Sequence, residues 1–294
     1  MPSNLNHAFV EANGQSLHTV STGSGPLVLL LHGFPEFWYS WRHQLPALAA
    51  LGYRAVAVDM RGYNLSSKPT QTSNYHVDHL ADDVAALIEA LGYRDAILIG
   101  HDWGAIVAWF TAMRHPSRVR RLVVMNVPHP AHYERMLFAP AQLRRSWYIF
   151  FFQLPEVAER YIASHDYRYV RRMLLRTPRN PHAFSAEDIE RYVEAMRQPG
   201  AARAVVSYYR MLLRMGPIGA RRRMRRIEVP TLVLWGVHDH FLGREWSAPP
   251  RHWVPNCEVA MLDDASHWVQ VDRPDEVNRR LARFLGTAER GGAR

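Results

Sequence analysis

The sequence of 294 residues lacks the features that are typical of disulfide-rich, membrane-spanning and secreted proteins. Its one cysteine, Cys257, cannot form a disulfide within the chain or a cluster of thiolate ligands, and we expect it to be a buried spectator. The longest strongly aliphatic run, LVLLL at 27–31, is far shorter than the ~20 apolar residues of a membrane-spanning helix. The amino-terminal MPSNLNHAF lacks the apolar centre of a signal peptide. These absences predict a cytoplasmic protein without a membrane span or a metal site.

Lysine is also nearly absent, because all but one of the 36 basic residues are arginine. The 27 acidic residues leave a formal net charge of +9. This excess is concentrated in residues 131–226, which contain 19 arginines and 8 acidic residues. The arginines are scattered along amphipathic patterns, except in RRRMRR at 221–226, and no nucleic-acid-binding motif accompanies them. We therefore expect a solvated basic surface and no nucleic-acid partner, while the oligomeric state, a homo-oligomer included, stays open.

Short apolar runs separated by helical patterns occupy the first and last parts of the chain. They are LVLLLH at 27–32, RAVAVD at 54–59, AILIG at 96–100, RLVVMN at 121–126, TLVLWG at 231–236 and EVAML at 258–262. Continuous apolar runs of this length are typical of buried strands in a parallel sheet. The sequence therefore predicts an α/β fold with a mostly parallel central sheet flanked by helices.

The middle of the chain has a different pattern of apolar residues. From Ala131 onward helical patterns follow one another without an apolar strand, and Ser185-x-x-Asp188 is a capping signal for one of them. This predicts an all-helical insertion, or cap, at residues 131–226, which divides an α/β core made of residues 1–130 and 227–294.

The motif GHDWG at 100–104 directly follows the apolar run AILIG and precedes a helical pattern. A strand, a sharp turn and a helix form the nucleophile elbow of hydrolases, where small residues flank a strained nucleophile. Here the nucleophile position holds Asp102 and not serine. A carboxylate attacks an sp³ carbon that carries a strained or good leaving group and forms an enzyme ester, which points to epoxides or alkyl halides.

Two further residues complete the order of a hydrolase triad. Asp239 follows the run TLVLWG, and His267 follows EVAML within ASHW. Nucleophile, acid and histidine appear in this order at successive strand ends of such sheets. The sequence thus predicts Asp102 as nucleophile, Asp239 as the acid that orients the histidine, and His267 as general base.

A turn after the first apolar run, His32-Gly33-Phe34-Pro35, offers the fourth element. It can aim the backbone N–H of Phe34 at the same point as the N–H of Trp103. We predict that these two groups form an oxyanion hole. Phe34 and Trp103 are also expected to contact the substrate.

Together these motifs resemble the α/β-hydrolase superfamily and, within it, the soluble-type epoxide hydrolases. The resemblance covers nearly the whole chain and includes HGFPEFWYSWR at 32–42, DMRGYNLSS at 59–67, GHDWG at 100–104, FFQLP at 151–155, SYYR at 207–210 and ASHW at 265–268. In the second of these motifs, Asp59 and Arg61 are expected to fix their loop as a pair. The resemblance implies the α/β-hydrolase fold, hydrolysis of an epoxide by water without a cofactor, and a covalent ester on Asp102.

The resemblance also implies two cap tyrosines that assist ring opening. By the F-Q-x-P and [WY]-Y-R motifs of the family, they are Tyr148 and Tyr209. Phenols can donate a proton or a hydrogen bond to the departing alkoxide without ionising first. The neighbouring Trp147 and Phe151 are expected to bind substrate.

Two other functions stay open on this fold. Haloalkane and haloacetate dehalogenases use the same Asp-Asp-His set, but the former commonly place Asn where this chain has Phe34, and the fluoroacetate enzymes have His-Trp where it has Trp147-Tyr148. Both departures favour an epoxide, because a halide wants N–H donors while an epoxide oxygen wants an acidic O–H. A non-catalytic ligand receptor is the third reading, since fold alone does not decide function.

Overall fold

The computed structural model describes residues 5–286. Its central feature is an eight-stranded sheet in the order β1-β2-β4-β3-β5-β6-β7-β8. The strands are β1 Asn6–Ala12, β2 Gln15–Thr22, β3 Leu27–Leu31, β4 Arg54–Val58, β5 Ala96–His101, β6 Val119–Met125, β7 Thr231–Gly236 and β8 Cys257–Leu262. β3 to β8 pair in parallel, whereas β2 pairs antiparallel with both β1 and β4. This confirms the predicted mostly parallel sheet of the α/β-hydrolase fold.

All six predicted strands are present, and β3 and β5 are buried along their whole length because helices cover both faces of the sheet. The sequence reading missed the amino-terminal hairpin of β1 and β2. β1 mixes exposed and half-buried residues, so it lacks the continuous apolar run that identified the other strands.

The helices of the core are α1 Gln44–Ala50, α2 Val77–Ala90, α3 Trp103–Arg114, α10 Val269–Asp272 and α11 Pro274–Leu285. α11 contains Pro274 in its first turn and buries Val277, Leu281 and Leu285 on one face. No helix within the described part of the chain is long and apolar enough to cross a bilayer.

Six helices lie between β6 and β7, with no strand among them: α4 Tyr133–Met136, α5 Pro140–Arg145, α6 Trp147–Phe151, α7 Val157–Arg176, α8 Ala186–Arg197 and α9 Ala201–Arg223. All of them fall inside the predicted cap of residues 131–226. At the start of α8 the predicted capping box is formed, since Ser185 Oγ accepts from Asp188 N–H and the Asp188 carboxylate accepts from Ser185 N–H. α9 is interrupted at Gly216, followed by Pro217.

Two expectations about single residues need correction. Cys257 is half-buried at the start of β8, which is a rim position of the sheet. Asp59 and Arg61 do not pair with each other: the Asp59 carboxylate contacts His18 Nδ1 at 2.6 Å, and the Arg61 guanidinium donates to Asp83, with 2.7 Å from Nε. Each thus fixes the loop to a different element, β2 for Asp59 and α2 for Arg61.

The cap is attached to the core by specific hydrogen bonds. Tyr208 Oη on α9 donates to the Arg61 carbonyl at 2.6 Å, and Tyr39 Oη donates to Asp188 on α8 at 2.7 Å. These contacts hold α8 and α9 over the carboxyl ends of the parallel strands, the edge of an α/β sheet where active sites form.

Candidate active site

Asp102 occupies the turn between β5 and α3. Its backbone is in an unusual region for a residue with a side chain, with φ 48° and ψ −121°. A Cβ on Gly100 would overlap the backbone of Gly104, and a Cβ on Gly104 would overlap the carbonyl of Leu31. The two glycines therefore let α3 pass close to the strands, which is what the nucleophile elbow requires.

The three predicted catalytic residues come together at the strand ends. His267 Nδ1 lies 2.8 Å from Asp239 Oδ2, and His267 Nε2 lies 3.6 Å from Asp102 Oδ2. The side chains of His267 and Asp239 are 3% and 1% exposed, whereas that of Asp102 keeps 16%. The carboxylate in the nucleophile position is thus the member that faces open space.

Asp239 is held by neighbours that the sequence reading did not single out. Asn126 Nδ2 donates to Asp239 Oδ2 at 2.7 Å, and the N–H groups of Phe241 and Leu242 donate to Oδ1 at 2.7 and 3.0 Å. Asn126 ends the run RLVVMN. Its position at the carboxyl end of a predicted strand was the one sequence feature that could have identified it as a site residue. These donors fix the carboxylate plane that orients His267.

The positive charge of His267 and the negative charges of Asp102 and Asp239 stabilise one another. Burial alone would lower the pKa of His267, but the Asp239 charge and the hydrogen bonds to both carboxylates raise it to about 10. Burial alone would raise the pKa of Asp102, but the hydrogen bond and charge of His267 and the Phe34 N–H hold it below its usual value. Asp102 is therefore an ionised carboxylate next to an imidazolium, the form in which it is nucleophilic.

The Asp102 carboxylate is also oriented by the loop after β3. Phe34 N–H donates to Asp102 Oδ1 at 2.8 Å, which leaves Oδ2 toward His267. A Cβ on Gly33 would overlap the Asp102 side chain, so glycine permits this approach. Trp103 is the first residue of α3, directly after the nucleophile, and its share in an oxyanion hole stays a prediction.

The two cap tyrosines reach the same point from above. Tyr148 on α6 and Tyr209 on α9 line the cavity that contains Asp102, and their ring centroids are 5.7 Å apart. The Tyr209 ring packs edge-on against Trp103 at 5.0 Å. Burial and the Asp102 charge raise the pKa of both phenols, so both stay protonated and able to donate.

Comparison with known proteins agrees with this geometry. A family model described as alpha/beta hydrolase fold matches residues 26–274. The chain is 40% identical over 280 residues to the AB hydrolase superfamily protein YfhM of Bacillus subtilis, covering 94% of this chain and 96% of that protein. It is also 40% identical over 289 residues to epoxide hydrolase 3 of Xenopus tropicalis, covering 95% of this chain and 77% of that one.

Among solved structures, an epoxide hydrolase of Bacillus megaterium in complex with an inhibitor matches with a TM-score of 0.87 and 33% identity, covering 95% of this chain and 99% of that one. This chain belongs to the epoxide hydrolases of the α/β-hydrolase family. It is accordingly a hydrolase enzyme.

The active cavity of this epoxide hydrolase family member has a volume of about 330 Å³ and mostly apolar walls. Besides Asp102 and Trp103, its lining comes mainly from α4, α5, α6 and α9 of the cap and includes Tyr133, Ile149 and Phe150. Trp147 and Phe151, predicted to bind substrate, are not part of this lining. They are one turn apart on α6, with ring centroids 6.0 Å apart; Trp147 is 53% exposed, and Phe151 is half-buried against Phe152 and Tyr161.

A second buried acid and histidine lie directly behind His267. Glu36 Oε2 is 2.6 Å from His101 Nδ1, and both side chains are fully buried. His101 Nε2 is 2.8 Å from the His267 carbonyl, while Gly33 N–H donates to Glu36 Oε2 at 2.9 Å. The pair thus connects the loop after β3 with the backbone of His267. Both residues stand inside the motifs HGFPE and GHDWG, but their spacing gave no sign that they would meet.

Proposed function

We propose that this enzyme converts an epoxide and water to a vicinal diol through an ester on Asp102. The observation that carries the proposal is the pair of protonated phenols, Tyr148 and Tyr209, on the wall of the cavity that contains the Asp102 carboxylate. An epoxide must receive a hydrogen bond or a proton on its oxygen as the C–O bond breaks, and phenols supply both.

The first step is attack of Asp102 on an epoxide carbon. Its Oδ2 forms the new C–O bond, the ring C–O bond breaks, and the alkoxide takes a proton from one of the two phenols. Phe34 N–H remains on Oδ1, which becomes the carbonyl oxygen of the ester. The proton lost by the phenol is restored from the His267 imidazolium through water in the cavity.

Ester formation also prepares His267 for the second step. The Asp102 charge and its hydrogen bond are among the causes that raise the pKa of His267, and esterification removes both. The neutral ring then takes a proton from water, and the hydroxide attacks the ester carbonyl. The departing alkoxide receives the proton from His267, and the proton left on the Asp102 carboxyl returns to His267. Epoxide and water are consumed, diol is released, and each group regains its starting charge.

The walls of the cavity indicate the kind of epoxide. Apart from the catalytic groups, most of the lining is aliphatic or aromatic, so polar substituents would lose hydration without gaining partners. We infer an apolar epoxide, aryl or alkyl substituted. No metal or cofactor enters the proposed steps, because ring strain and the ester carbonyl supply the reactivity.

The test is a turnover assay of the purified protein on terminal and aryl epoxides and on haloalkanes, with Asp102→Ala as the blank. We expect diol from epoxides and no halide release. In His267→Gln the ester should accumulate, and an intact-mass spectrum should show the protein plus one epoxide. His240→Gln, at an exposed histidine next to Asp239, is the matched control and should turn over without an adduct.

Three outcomes would contradict the proposal. Halide release without diol would assign the protein to the dehalogenases that use the same triad. A His267→Gln protein that stays unmodified at high epoxide concentration would reject the covalent scheme. Tight ligand binding with no product of either kind would point to the receptor function.

A further inference from the structure

A group of exposed apolar side chains lies on the cap segments that line the active cavity. We call it the mouth patch. Its members lie on α6, on α9 and on the segment that follows α4, and they are between 36% and 80% exposed: Leu137, Phe138, Trp147, Phe150, Leu213 and Ile218. Six large apolar side chains on one part of a cap form a surface that needs a specific explanation, unlike scattered single residues.

The mouth patch is continuous with the walls of the cavity. Leu137, Phe150 and Leu213 are exposed members of the patch and also line the cavity. Ile218 directly follows Pro217, another lining residue at the break in α9. The apolar inner surface therefore extends onto the outside of the molecule at these residues.

Positive charge without acidic partners accompanies the patch. Arg144 and Arg214 are exposed, and in residues 5–286 no carboxylate lies within the 4.0 Å of a salt bridge to either. Both are sequence neighbours of cavity-lining leucines. On α7 and α8, by contrast, Arg171 and Arg197 are both bridged to the same two acids. The uncompensated charge of the cap thus includes arginines at the mouth.

We propose that the mouth patch docks on the surface of an anionic lipid bilayer. Apolar and aromatic side chains bordered by arginine fit the boundary between acyl chains and phosphate groups. A second copy of the chain fits less well, because a twofold interface would bring the arginines of both copies into one contact without added acidic partners and would cover the cavity. A docked enzyme would take apolar epoxides from the lipid directly into its cavity. This consequence rests on the proposed function, whereas the docking itself does not.

The experiment is co-sedimentation of the full protein with sucrose-loaded vesicles. One set contains phosphatidylcholine alone and another contains phosphatidylcholine with about one third phosphatidylglycerol. We expect binding to the anionic vesicles that weakens steeply as salt rises, and much weaker binding to the neutral ones. Vesicle binding needs no catalytic turnover, so it is measured independently of the epoxide assay.

Matched variants separate the two parts of the surface. Arg144→Gln with Arg214→Gln should weaken binding by about fivefold for each arginine removed. Phe138→Ser with Ile218→Ser should weaken it by about tenfold for each side chain. The controls make the same changes on the core: Arg94→Gln with Arg283→Gln, and Phe9→Ser on the 60% exposed phenylalanine of β1.

The controls should bind as the unchanged protein does, and thermal melting should show that every variant is folded. Equal binding of core and cap variants would overturn the proposal, as would the absence of binding to anionic vesicles at low salt. A dimer in light scattering that Phe138→Ser with Ile218→Ser converts to monomer would also overturn it, and would assign the patch to a contact between copies of this chain.

Discussion

Removal of the two cap phenols tests the chemistry of the site most directly. Tyr148→Phe and Tyr209→Phe each delete one hydroxyl and keep the ring that packs in the cavity wall. The ring centroids are 5.7 Å apart, and both residues line the cavity that contains Asp102. A hydrogen bond to a charged group contributes about 1.5–3 kcal/mol, so each single variant should slow ester formation roughly 10- to 100-fold.

The double variant should lose more, because the remaining phenol partly replaces the missing one in each single variant. We expect a loss of about 10²–10⁴-fold, the usual contribution of general acid catalysis. Ester formation is measured in a single turnover from the change in tryptophan fluorescence, since Trp103 packs against Tyr209 at 5.0 Å. Hydrolysis of the ester, which follows the departure of the epoxide oxygen, should change much less.

Tyr208→Phe is the matched control on the same helix. Tyr208 is fully buried, but its hydroxyl donates to the Arg61 carbonyl and not into the cavity. Its removal should cost about 1–3 kcal/mol of unfolding free energy with little change in the rate of ester formation. If the double variant forms the ester within threefold of the normal rate, or if Tyr208→Phe slows it equally, the assignment of the two phenols is wrong.

Two further predictions concern Asp102. In Asp102→Ala, loss of the carboxylate should lower the pKa of His267 from about 10, which an NMR titration of its ring measures. An unchanged pKa would refute the proposal that ester formation on Asp102 prepares His267 to act as a base. Because folding raises the pKa of His267, its pairing with Asp102 stabilises the fold fully below pH 6.5, and this stabilisation is lost as the pH rises toward 10. The unfolding free energy should therefore fall less over this pH range in Asp102→Ala than in the unchanged protein. Gly33→Ala should lower kcat about 10²-fold, because its Cβ displaces the Asp102 carboxylate. In Gly243→Ala the atoms nearest to the new Cβ belong to the flexible, exposed side chain of Glu245, so this control should be nearly normal.

The sequence by itself predicted the parallel part of the sheet, the run of helices between β6 and β7, and the three side chains that meet at the strand ends. Continuous apolar runs identified the parallel strands, because burial on both faces leaves no polar positions. The order of Asp102, Asp239 and His267 after such runs was informative, since the carboxyl ends of parallel strands meet at one edge. The β1–β2 hairpin was not predicted, because the half-exposed edge strand β1 contains no continuous apolar run.

Only the tertiary structure decided which side chains the cap brings to the site. Trp147 and Tyr148 are adjacent in sequence, yet one lies on the surface and the other on the cavity wall, because the direction of a short helix depends on what it packs against. Glu36 and His101 are 65 residues apart and meet in the interior behind His267. Local patterns carry no record of such long-range contacts, which arise only when separate elements close on one another.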